Sequence, residues 1–577
     1  MKLGSFRICL LCTLWISTLN ASSLDREAFT FTNYDLNVRV EPEQQRLAVR
    51  GKITLRNDSA SPQKIAVLQI SSSLSWRSIR AKSEPLQFVA QPYTSDIDHT
   101  GALSEATVTL PAPVPPKGTI DLEIAYEGIV ALDATRLTRI ETPEAVAHSV
   151  DWDQISTKFT AVRGVGYVTW YPVATADASL ADGISLPEVL ARGKTRETSF
   201  PMHLVITVTN DEGEPPELLV NATTCAGSHE IAHQFVADCT YRSVGSVAPT
   251  FAIANYEVLE RPAIAVHFLH GHEASAANYA DAADRVLPLI KEWFGPPRVK
   301  AQAADLADPE ATPFESGSLL LTPLTATDPK VAALAAAHQL THAAFSSPRT
   351  WINEGLAHFA QALYLEHQSG RQAALNYIGS HRSALDAAES AKRSQAAATR
   401  SEDELSHSLI STYDEELLRS KAMCVWWMLR DMVGDAALKK AIAAYDPAQD
   451  KAPSYMPQLI QAQTQKDLEW FFDDWVYRDR GLTEFKVESA FTRKLPQGYL
   501  VTITVSNLGV AGAEVPLTVK FAGGEVTQRL VVRGKSNGVI RVEVSKPPEE
   551  VVVNDGSVPE RDTKNNVYKI QGGDNPK

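Results

Sequence analysis

The spacing of hydrophobic positions divides the chain into stretches with different expected structures. From residue 27 to residue 260, hydrophobic residues recur at every second position or in short β-branched runs, and turn-forming residues separate the runs. The clearest runs are 34–40, 47–55, 120–126 and 203–208. Because helical periodicity is rare in this stretch, we predict an N-terminal antiparallel β domain over 27–260.

The pattern becomes helical after Arg261 and Pro262, where alanine, leucine, glutamate and lysine are frequent. An amphipathic helix over 277–294 is expected to end at Gly295, because glycine and the prolines that follow it stop a helix. Strands are expected at 263–269 and 318–321. Further helices are expected at 329–345, 371–390, 414–433, 435–445, 454–463 and 466–478. These elements indicate a mainly helical domain over 261–480.

Alternation with a period of two returns after Gly481. The length of this region and its turn spacing fit a small immunoglobulin-like β-sandwich over 484–560, followed by a polar tail over 561–577. In fold class, the protein is therefore expected to be multidomain α+β. The runs that alternate as half-buried strands are 498–505, 515–521, 528–532 and 539–544.

The first 23 residues have the three parts of a secretory signal peptide. Lys2 and Arg7 form a basic start, Ile8–Ile16 is a short apolar run, and small or polar residues follow at 20–23. The apolar run is too short to span a bilayer, and no later stretch reaches 18 apolar residues. We predict cleavage of residues 1–23, a secreted or periplasmic location, and no membrane span in the mature chain.

Composition adds limits on size and partners. A chain of 577 residues is long enough for about three or four domains, and its contents of 44% hydrophobic and 21% charged residues are ordinary for globular proteins. The net charge of −14 and the pI near 5.5 argue against nucleic acid and anionic membrane surfaces as partners, because both call for basic patches.

Cysteine use is consistent with export. Cys225 and Cys239 lie 14 residues apart in a predicted β region, so a disulfide between them is expected in an oxidising compartment. A pair of buried thiols is the alternative. Cys424 lies in an apolar helical run and is expected to be part of the core.

Residues with metal-binding chemistry lie between 338 and 354. His338 and His342 are four residues apart in an alanine-rich helix, so both imidazoles lie on one helix face and are close enough to share a metal. Glu354 follows in the next predicted helix and supplies a carboxylate. Three protein ligands with a fourth position open to water are typical of a catalytic zinc site. The alternative without a metal is that the two histidines are ordinary hydrogen-bonded residues on a helix face and that Glu354 is exposed to solvent.

The order of His338, His342, Pro348 and Trp351-Ile352-Asn353-Glu354-Gly355 resembles the gluzincin metallopeptidases, above all the alanyl aminopeptidase and leukotriene hydrolase family. In that family, a helix with H-E-x-x-H precedes a helix that carries N-E-G and the third zinc ligand. The resemblance implies zinc as the cofactor and His338, His342 and Glu354 as its ligands. It also implies that 261–480 is a thermolysin-like metallopeptidase domain between the two β domains.

Two further positions follow from the resemblance. Glu315, in Thr312-Pro313-Phe314-Glu315-Ser316, lies where the family has the glutamate that grips the free amino group of the substrate. The implied partner is therefore a peptide or a protein N-terminus, with a plain loop carboxylate as the alternative for Glu315. The family also has a tyrosine, two residues before a lysine, that stabilises the oxyanion. Lys421 aligns with that lysine, and Arg419 occupies the tyrosine position.

The chain departs from the family where the chemistry is done. Gln339 stands at the position of the general base, and a neutral amide cannot take a proton at neutral pH. The oxyanion tyrosine is replaced by Arg419, which could clamp a carboxylate or phosphate or make a surface ion pair. Only eleven residues separate His342 from Glu354, fewer than in the family.

These departures lead to the interpretation of a pseudoenzyme: metal binding and peptide binding retained, hydrolysis weak or lost. One alternative is an active zinc aminopeptidase that uses another general base. The other is a non-metal, β-rich binding or scaffold protein.

Overall fold

The computed structural model describes residues 24–570, apart from 94–102, 140, 165–168, 174–199, 210–215, 232–233, 245–246, 325–327, 400–407, 413, 415 and 479. The predicted signal peptide and residues 571–577 of the predicted tail lie outside the described residues.

The N-terminal region is rich in strands, as the alternation of its hydrophobic residues predicts. In β1, for example, Leu36, Val38 and Val40 are buried and alternate with exposed residues. The strands are β1 (Phe29–Glu41), β2 (Arg46–Asn57), β3 (Gln63–Ser71), β4 (Leu74–Ala81), β5 (Glu84–Pro85), β6 (Phe88–Tyr93), β7 (Leu103–Val114), β8 (Thr119–Ile129), β9 (Phe159–Val162), β10 (Met202–Thr209), β11 (Glu217–Val220), β12 (Thr224–Ile231), β13 (Gln234–Tyr241) and β14 (Phe251–Ala254). Short helices α1 (Thr135–Arg139) and α2 (Glu144–Val150) lie between β8 and β9.

These strands form an eight-stranded sheet, in the order β12-β13-β10-β1-β2-β8-β4-β5, and the three-stranded sheets β3-β7-β6 and β11-β14-β9. The prediction of an antiparallel domain needs one correction, because β1 and β10 pair in parallel. The chain returns to β1 only after a long excursion through the other strands, so the geometry of a hairpin does not apply to this pair. The sulfur atoms of Cys225 and Cys239 are bonded across β12 and β13, where the two residues face each other.

The middle region packs helices against a mixed sheet of five strands, ordered β15-β16-β17-β19-β18. Its strands are β15 (Glu257–Glu260), β16 (Ile264–Phe268), β17 (Ala301–Asp305), β18 (Phe314–Ser316) and β19 (Leu319–Thr322). Its helices are α3 (Glu273–Phe294), α4 (Pro329–Ala344), α5 (Thr350–Ser369), α6 (Arg371–Ser380), α7 (Arg382–Thr399), α8 (Ala422–Val433), α9 (Asp435–Ala443), α10 (Tyr455–Gln461) and α11 (Glu469–Phe472), with π-helical turns at Leu417–Lys421 and Asp473–Tyr477.

The helix expected at 466–478 is the short α11 followed by the π-helical turn 473–477. Two other predicted helices also differ in detail from the structure. The helix expected at 371–390 is two helices, α6 and α7, separated at His381. The helix expected at 414–433 begins as the π-helical turn 417–421 and continues as α8. π-Helical turns inside helices are frequent at functional sites, so the turn 417–421 bears on the site described below. Among the described helices, none combines the length and apolar character that a bilayer crossing requires.

The C-terminal region is a β-sandwich of two antiparallel sheets, β20-β21-β24 and β23-β22-β25-β26. Its strands are β20 (Phe485–Lys494), β21 (Tyr499–Asn507), β22 (Ala513–Phe521), β23 (Gly524–Val532), β24 (Asn537–Val544), β25 (Pro548–Val553) and β26 (Val567–Lys569). Its inner face shares one continuous hydrophobic core with the helices, which joins Trp475 of the helical region to Val515 and Leu517 of β22. The helical region is therefore packed directly against the β-sandwich.

The edge strand β18 lies against the N-terminal region. The indole of Trp152 donates to the Thr312 carbonyl oxygen at 3.0 Å, and the Asn221 side-chain amide donates to the Ser316 carbonyl oxygen at 3.3 Å. The Ser316 hydroxyl accepts from the backbone N–H of Ala248 at 2.9 Å. Because both sides of Glu315 are tied to the N-terminal region, the position of its side chain depends on how the two regions pack.

Candidate metal centre

Helix α4 presents both histidines to one side. It begins at Pro329, and the Asp328 carboxylate caps it by accepting from the Lys330 N–H at 2.8 Å. The small alanines at 332, 333, 336 and 337 are buried, so the helix lies close to its neighbours. Only residues 345–349 separate it from α5, which carries Glu354. This short connection keeps the two helices in contact near the histidines.

The side chains of His338, His342 and Glu354 converge. The two Nε2 atoms are 3.1 Å apart, and each lies 3.5 Å from one of the Glu354 carboxylate oxygens. The histidine side chains are only 13% and 6% exposed. The short connection therefore brings Glu354 to the histidines, which the spacing of the sequence alone could not decide.

Glu315 joins the same cluster. Its Oε2 lies 3.2 Å from Nε2 of His338, and its Oε1 is buried without a hydrogen-bond partner among the described residues. Burial raises the pKa of this carboxyl, the charges of His338 and His342 offset part of the effect, and Glu354 adds to it. A buried carboxyl oxygen without a partner is unfavourable, and a hydrogen-bond donor or a cation beside it would remove that cost.

Charges within the cluster are strongly coupled. Burial by itself would lower the pKa of His342, but Glu354, with a further contribution from Glu315, raises it to about 9. Burial opposes the ionisation of Glu354, yet His342 and His338 hold the pKa of that carboxyl well below its usual range. Glu354 is therefore ionised at neutral pH, and His342 carries a proton when no metal is bound.

Two neighbours of Glu354 fix its position. Oδ1 of Asn353 accepts from the Ser347 N–H at 3.2 Å, and Nδ2 of the same amide lies 3.0 Å from Nδ1 of His342, whose Nε2 is directed at the cluster. Gly355 allows α5 to pack closely on α8, because a Cβ atom there would lie 2.8 Å from the Ala422 Cβ and from the Trp426 ring. In the N-E-G sequence, Asn353 thus contacts His342 on one side of Glu354, and Gly355 lets α5 pack closely on α8 on the other.

Gln339, at the position of the general base, is fully buried. Its Nε2 donates to the backbone carbonyl oxygens of Gln302 at 2.6 Å and Ser318 at 3.2 Å. Its Oε1 accepts from the Tyr279 hydroxyl at 2.8 Å. The amide is thus engaged on both ends and holds α4 against β17, the turn before β19, and α3.

His358 was missed by the sequence reasoning and lies beside the cluster. It is four residues after Glu354 on α5, the same spacing that pairs the two histidines on α4, and this repeat is the signal that could have found it. Ligand atoms of His338, Glu354 and His358 all lie within 4.8 Å of one another, and the rings of His338 and His358 are 4.6 Å apart. Burial, with the charge of His338, lowers the pKa of His358 well below its usual value.

Arg419 lies in the π-helical turn 417–421 and is exposed. Among the described residues it makes no hydrogen bond or ion pair. Burial lowers the pKa of His381, and the charge of Arg419 adds to that effect. Tyr413, the nearest tyrosine before it in the sequence, lies outside the described residues.

Residues 319–475 match the family described as "Peptidase family M1 domain". The matched segment contains His338, His342 and Glu354, and the match supports a place for the helical domain among the gluzincin M1 metallopeptidases. Zinc is accordingly the cofactor that the family indicates. Among curated proteins, none matches the chain.

Solved structures similar to this chain include the M1 zinc metallopeptidase from Deinococcus radiodurans and a point mutant of it. Each has 16% sequence identity and a TM-score of 0.48, and the alignment covers 78% of this chain and 94% of that one. The same mutant bound to a Tyr-Ser-Ala substrate has 16% identity, a TM-score of 0.46 and the same coverage.

The residues present fit zinc. Two imidazole nitrogens and a carboxylate that face one another at 3.1–3.5 Å form the donor set of zinc sites with two histidines and one glutamate. Oε2 of Glu315 adds a second carboxylate oxygen beside the same atoms, 3.2 Å from Nε2 of His338. His338, His342 and Glu354 would hold the ion, and an ion held by these three ligands alone would acidify a water molecule and polarise a carbonyl group at its open position.

Proposed function

We propose that this protein is an exported zinc-binding homologue of the M1 aminopeptidases that binds peptides or protein N-termini and hydrolyses them weakly or not at all. His338, His342 and Glu354 hold the zinc ion. Glu315 receives the free amino group of the bound chain. The predicted signal peptide directs the protein to a secreted or periplasmic location.

One observation carries the proposal: the metal ligands converge, while the residue at the general-base position is bound elsewhere. Nε2 of Gln339 donates to two carbonyl oxygens and its Oε1 accepts from Tyr279. An amide does not take a proton at neutral pH, and here both ends of the amide are already bound to other groups. The site thus keeps the ligands and loses the proton acceptor.

The expected loss of rate is large. General base catalysis contributes typically about 10²–10⁴-fold. The absence of an oxyanion-stabilising tyrosine at Arg419 adds roughly 2.7–4 kcal/mol to the barrier if its role is comparable to that of other oxyanion donors. Even a fully loaded site would therefore turn over far more slowly than an enzyme with both groups.

Binding of an amino terminus is supported by Glu315. Its buried Oε1 has no partner among the described residues, and it lies on the edge strand β18 beside the histidines. A protonated α-amino group offers several N–H donors and a charge of the opposite sign. The substrate class follows from this match.

The first test is metal analysis of the purified mature protein, followed by hydrolysis assays with aminoacyl-arylamides. We expect one zinc ion per chain in the wild type, little zinc in His338→Ala, and very slow turnover in both. Turnover in the normal enzyme range that disappears in His338→Ala would establish an active aminopeptidase instead. A wild-type protein without metal would favour the non-metal binding or scaffold alternative.

The second test measures peptide binding by calorimetry on the zinc-loaded protein. A peptide with a free amino terminus should bind more tightly than the same peptide acetylated, and Glu315→Gln should remove most of the difference. Equal affinity of the two peptides for the wild type would refute the role of Glu315. Sequencing the N-terminus of the exported protein tests the predicted cleavage after residue 23.

A further inference from the structure

His358 has a fixed tautomer, and hydrogen bonds around it decide which one. The Gln361 side chain donates from Nε2 to the Leu334 backbone carbonyl oxygen at 3.0 Å. A carbonyl oxygen only accepts, so the orientation of the Gln361 amide is set, and its Oε1 faces His358 at 2.8 Å. Because that oxygen also only accepts, Nδ1 of His358 must carry the proton. Nε2 of His358 therefore has its lone pair free.

Tyr377 strengthens this arrangement. Its hydroxyl donates to the same Oε1 of Gln361 at 2.7 Å, so both lone pairs of that oxygen are in use. The chain from Leu334 through Gln361 to His358 thus links α4 to α5 and holds the ring in place. A histidine whose Nδ1–H is held by an oxygen acceptor, with Nε2 free, is the usual state of a metal-bound histidine.

The two helices present matching pairs. Helix α4 carries His338 and His342, and α5 carries Glu354 and His358, each pair four residues apart. Ligand atoms of His338, Glu354 and His358 lie within 4.8 Å of one another, and His342 lies 3.1 Å from His338. His358 and His342 thus share two neighbours, His338 and Glu354, and three imidazoles with one carboxylate are a donor set that tetrahedral zinc accepts.

We propose that His358 is a fourth protein ligand of the ion held by His338, His342 and Glu354, so that the metal site is closed. The inference rests on the proposed function, since it concerns the zinc bound there. Zinc with four protein ligands has no position open to water, which is the usual state of a structural site. Hydrolysis is then limited for a second reason, independent of Gln339.

The inference predicts a property of the wild-type protein that needs no variant. X-ray absorption at the zinc edge counts imidazole ligands, and we expect three. Two imidazoles with one zinc ion bound would overturn the role of His358 and leave the proposed function standing. Absence of bound zinc would overturn both, so the two failures can be told apart.

Variants add a second measurement, with cobalt in place of zinc. The visible spectrum of the wild-type cobalt protein should be that of four-coordinate cobalt and should not change when azide is added. His358→Ala should give a weaker, water-ligated spectrum that azide shifts, and its zinc affinity in a chelator competition should fall at least about tenfold. A wild-type spectrum that responds to azide as the variant does would contradict the closed site.

Two further variants test whether the effect of His358→Ala comes from loss of the ring nitrogen. His367→Ala removes an exposed histidine from the same helix and should leave the spectrum and the zinc affinity unchanged. His358→Gln keeps a hydrogen-bonding side chain and should open the site like His358→Ala if the ring nitrogen is the ligand. Circular dichroism of each variant shows whether the fold is intact.

Discussion

The hydroxyl of Tyr279 on α3 donates a hydrogen bond to Oε1 of Gln339 on α4, at 2.8 Å, and both side chains are buried. With this bond, both ends of the Gln339 amide have partners, because its Nε2 already donates to two backbone carbonyl oxygens. The residue at the general-base position is thus part of the packing between two helices and a sheet.

The engaged amide leads to an expectation for Gln339→Glu. A carboxylate cannot donate to the carbonyl oxygens of Gln302 and Ser318, so two buried acceptors would face a buried charge. We expect the variant to lose about 2–4 kcal/mol of unfolding free energy at pH 8 and to show no restored peptidase activity. Urea unfolding and the arylamide assay measure the two effects.

The pH dependence of this variant has a definite sign. The introduced carboxyl has a folded pKa above its unfolded value of about 4.3, so the penalty is full above the folded pKa and shrinks as the pH falls. Gln458→Glu, on an exposed face of α10, makes the same chemical change and should stay within about 0.5 kcal/mol of wild type. Equal stability of Gln339→Glu and wild type at pH 8 would show that the amide is not engaged.

Zinc binding should release a proton. The pKa of His342 is raised to about 9, so this ring is protonated at pH 7 in the metal-free protein and must lose its proton to bind a metal. We expect release of about one proton at pH 7 and an apparent affinity that rises about tenfold per pH unit up to about pH 9. Calorimetry in two buffers with different ionisation enthalpies measures the proton count.

The same group sets the stability of the metal-free protein. A histidine with a raised folded pKa contributes stability that is fully present below about pH 6.5 and is lost as the pH rises through about 9. The melting temperature of the zinc-free protein should therefore decrease as the pH rises from about 6.5 to about 9, and bound zinc should make this decrease smaller. An affinity for zinc that does not change between pH 7 and pH 9 would contradict the raised pKa of His342.

Gly355→Ala tests the packing behind Glu354. The added methyl group would lie 2.8 Å from the Ala422 Cβ and the Trp426 ring, which forces α5 away from α8. We expect a loss of about 1–3 kcal/mol in unfolding free energy, and weaker zinc binding because Glu354 moves with its helix. Gly379→Ala in α6 is the matched control, since nothing lies within 4 Å of the new Cβ, and it should be neutral or stabilising by up to about 1 kcal/mol.

The buried ion pair of Lys421 and Glu389 joins the π-helical turn before α8 to α7. The Lys421 side chain is fully buried and that of Glu389 nearly so, at 2% exposure, so removal of one partner leaves a buried charge without compensation. We expect Lys421→Met to cost roughly 3–5 kcal/mol, and the double variant Lys421→Met/Glu389→Leu to recover most of that loss. A double variant as unstable as the single one would show that the pair is not the dominant interaction.

Much of the fold could be predicted from the sequence. The strands of the first region and of the final sandwich follow from alternation, because a strand repeats every two residues, and α4 follows from its alanines and the cap at Asp328. The pairing of β1 with β10 in parallel could not be predicted, because periodicity fixes which face of a strand is buried and does not fix its partner.

The sequence by itself determined that His338 and His342 share a helix face, since the spacing of four residues is a local property of the helix. Only the tertiary structure decided what surrounds them. Glu354 reaches the histidines, Glu315 arrives from the edge of a sheet, and the Gln339 amide is held by Tyr279 and two carbonyl groups. These contacts join residues far apart in the chain, and their distances depend on how helices and strands pack, which no local pattern encodes.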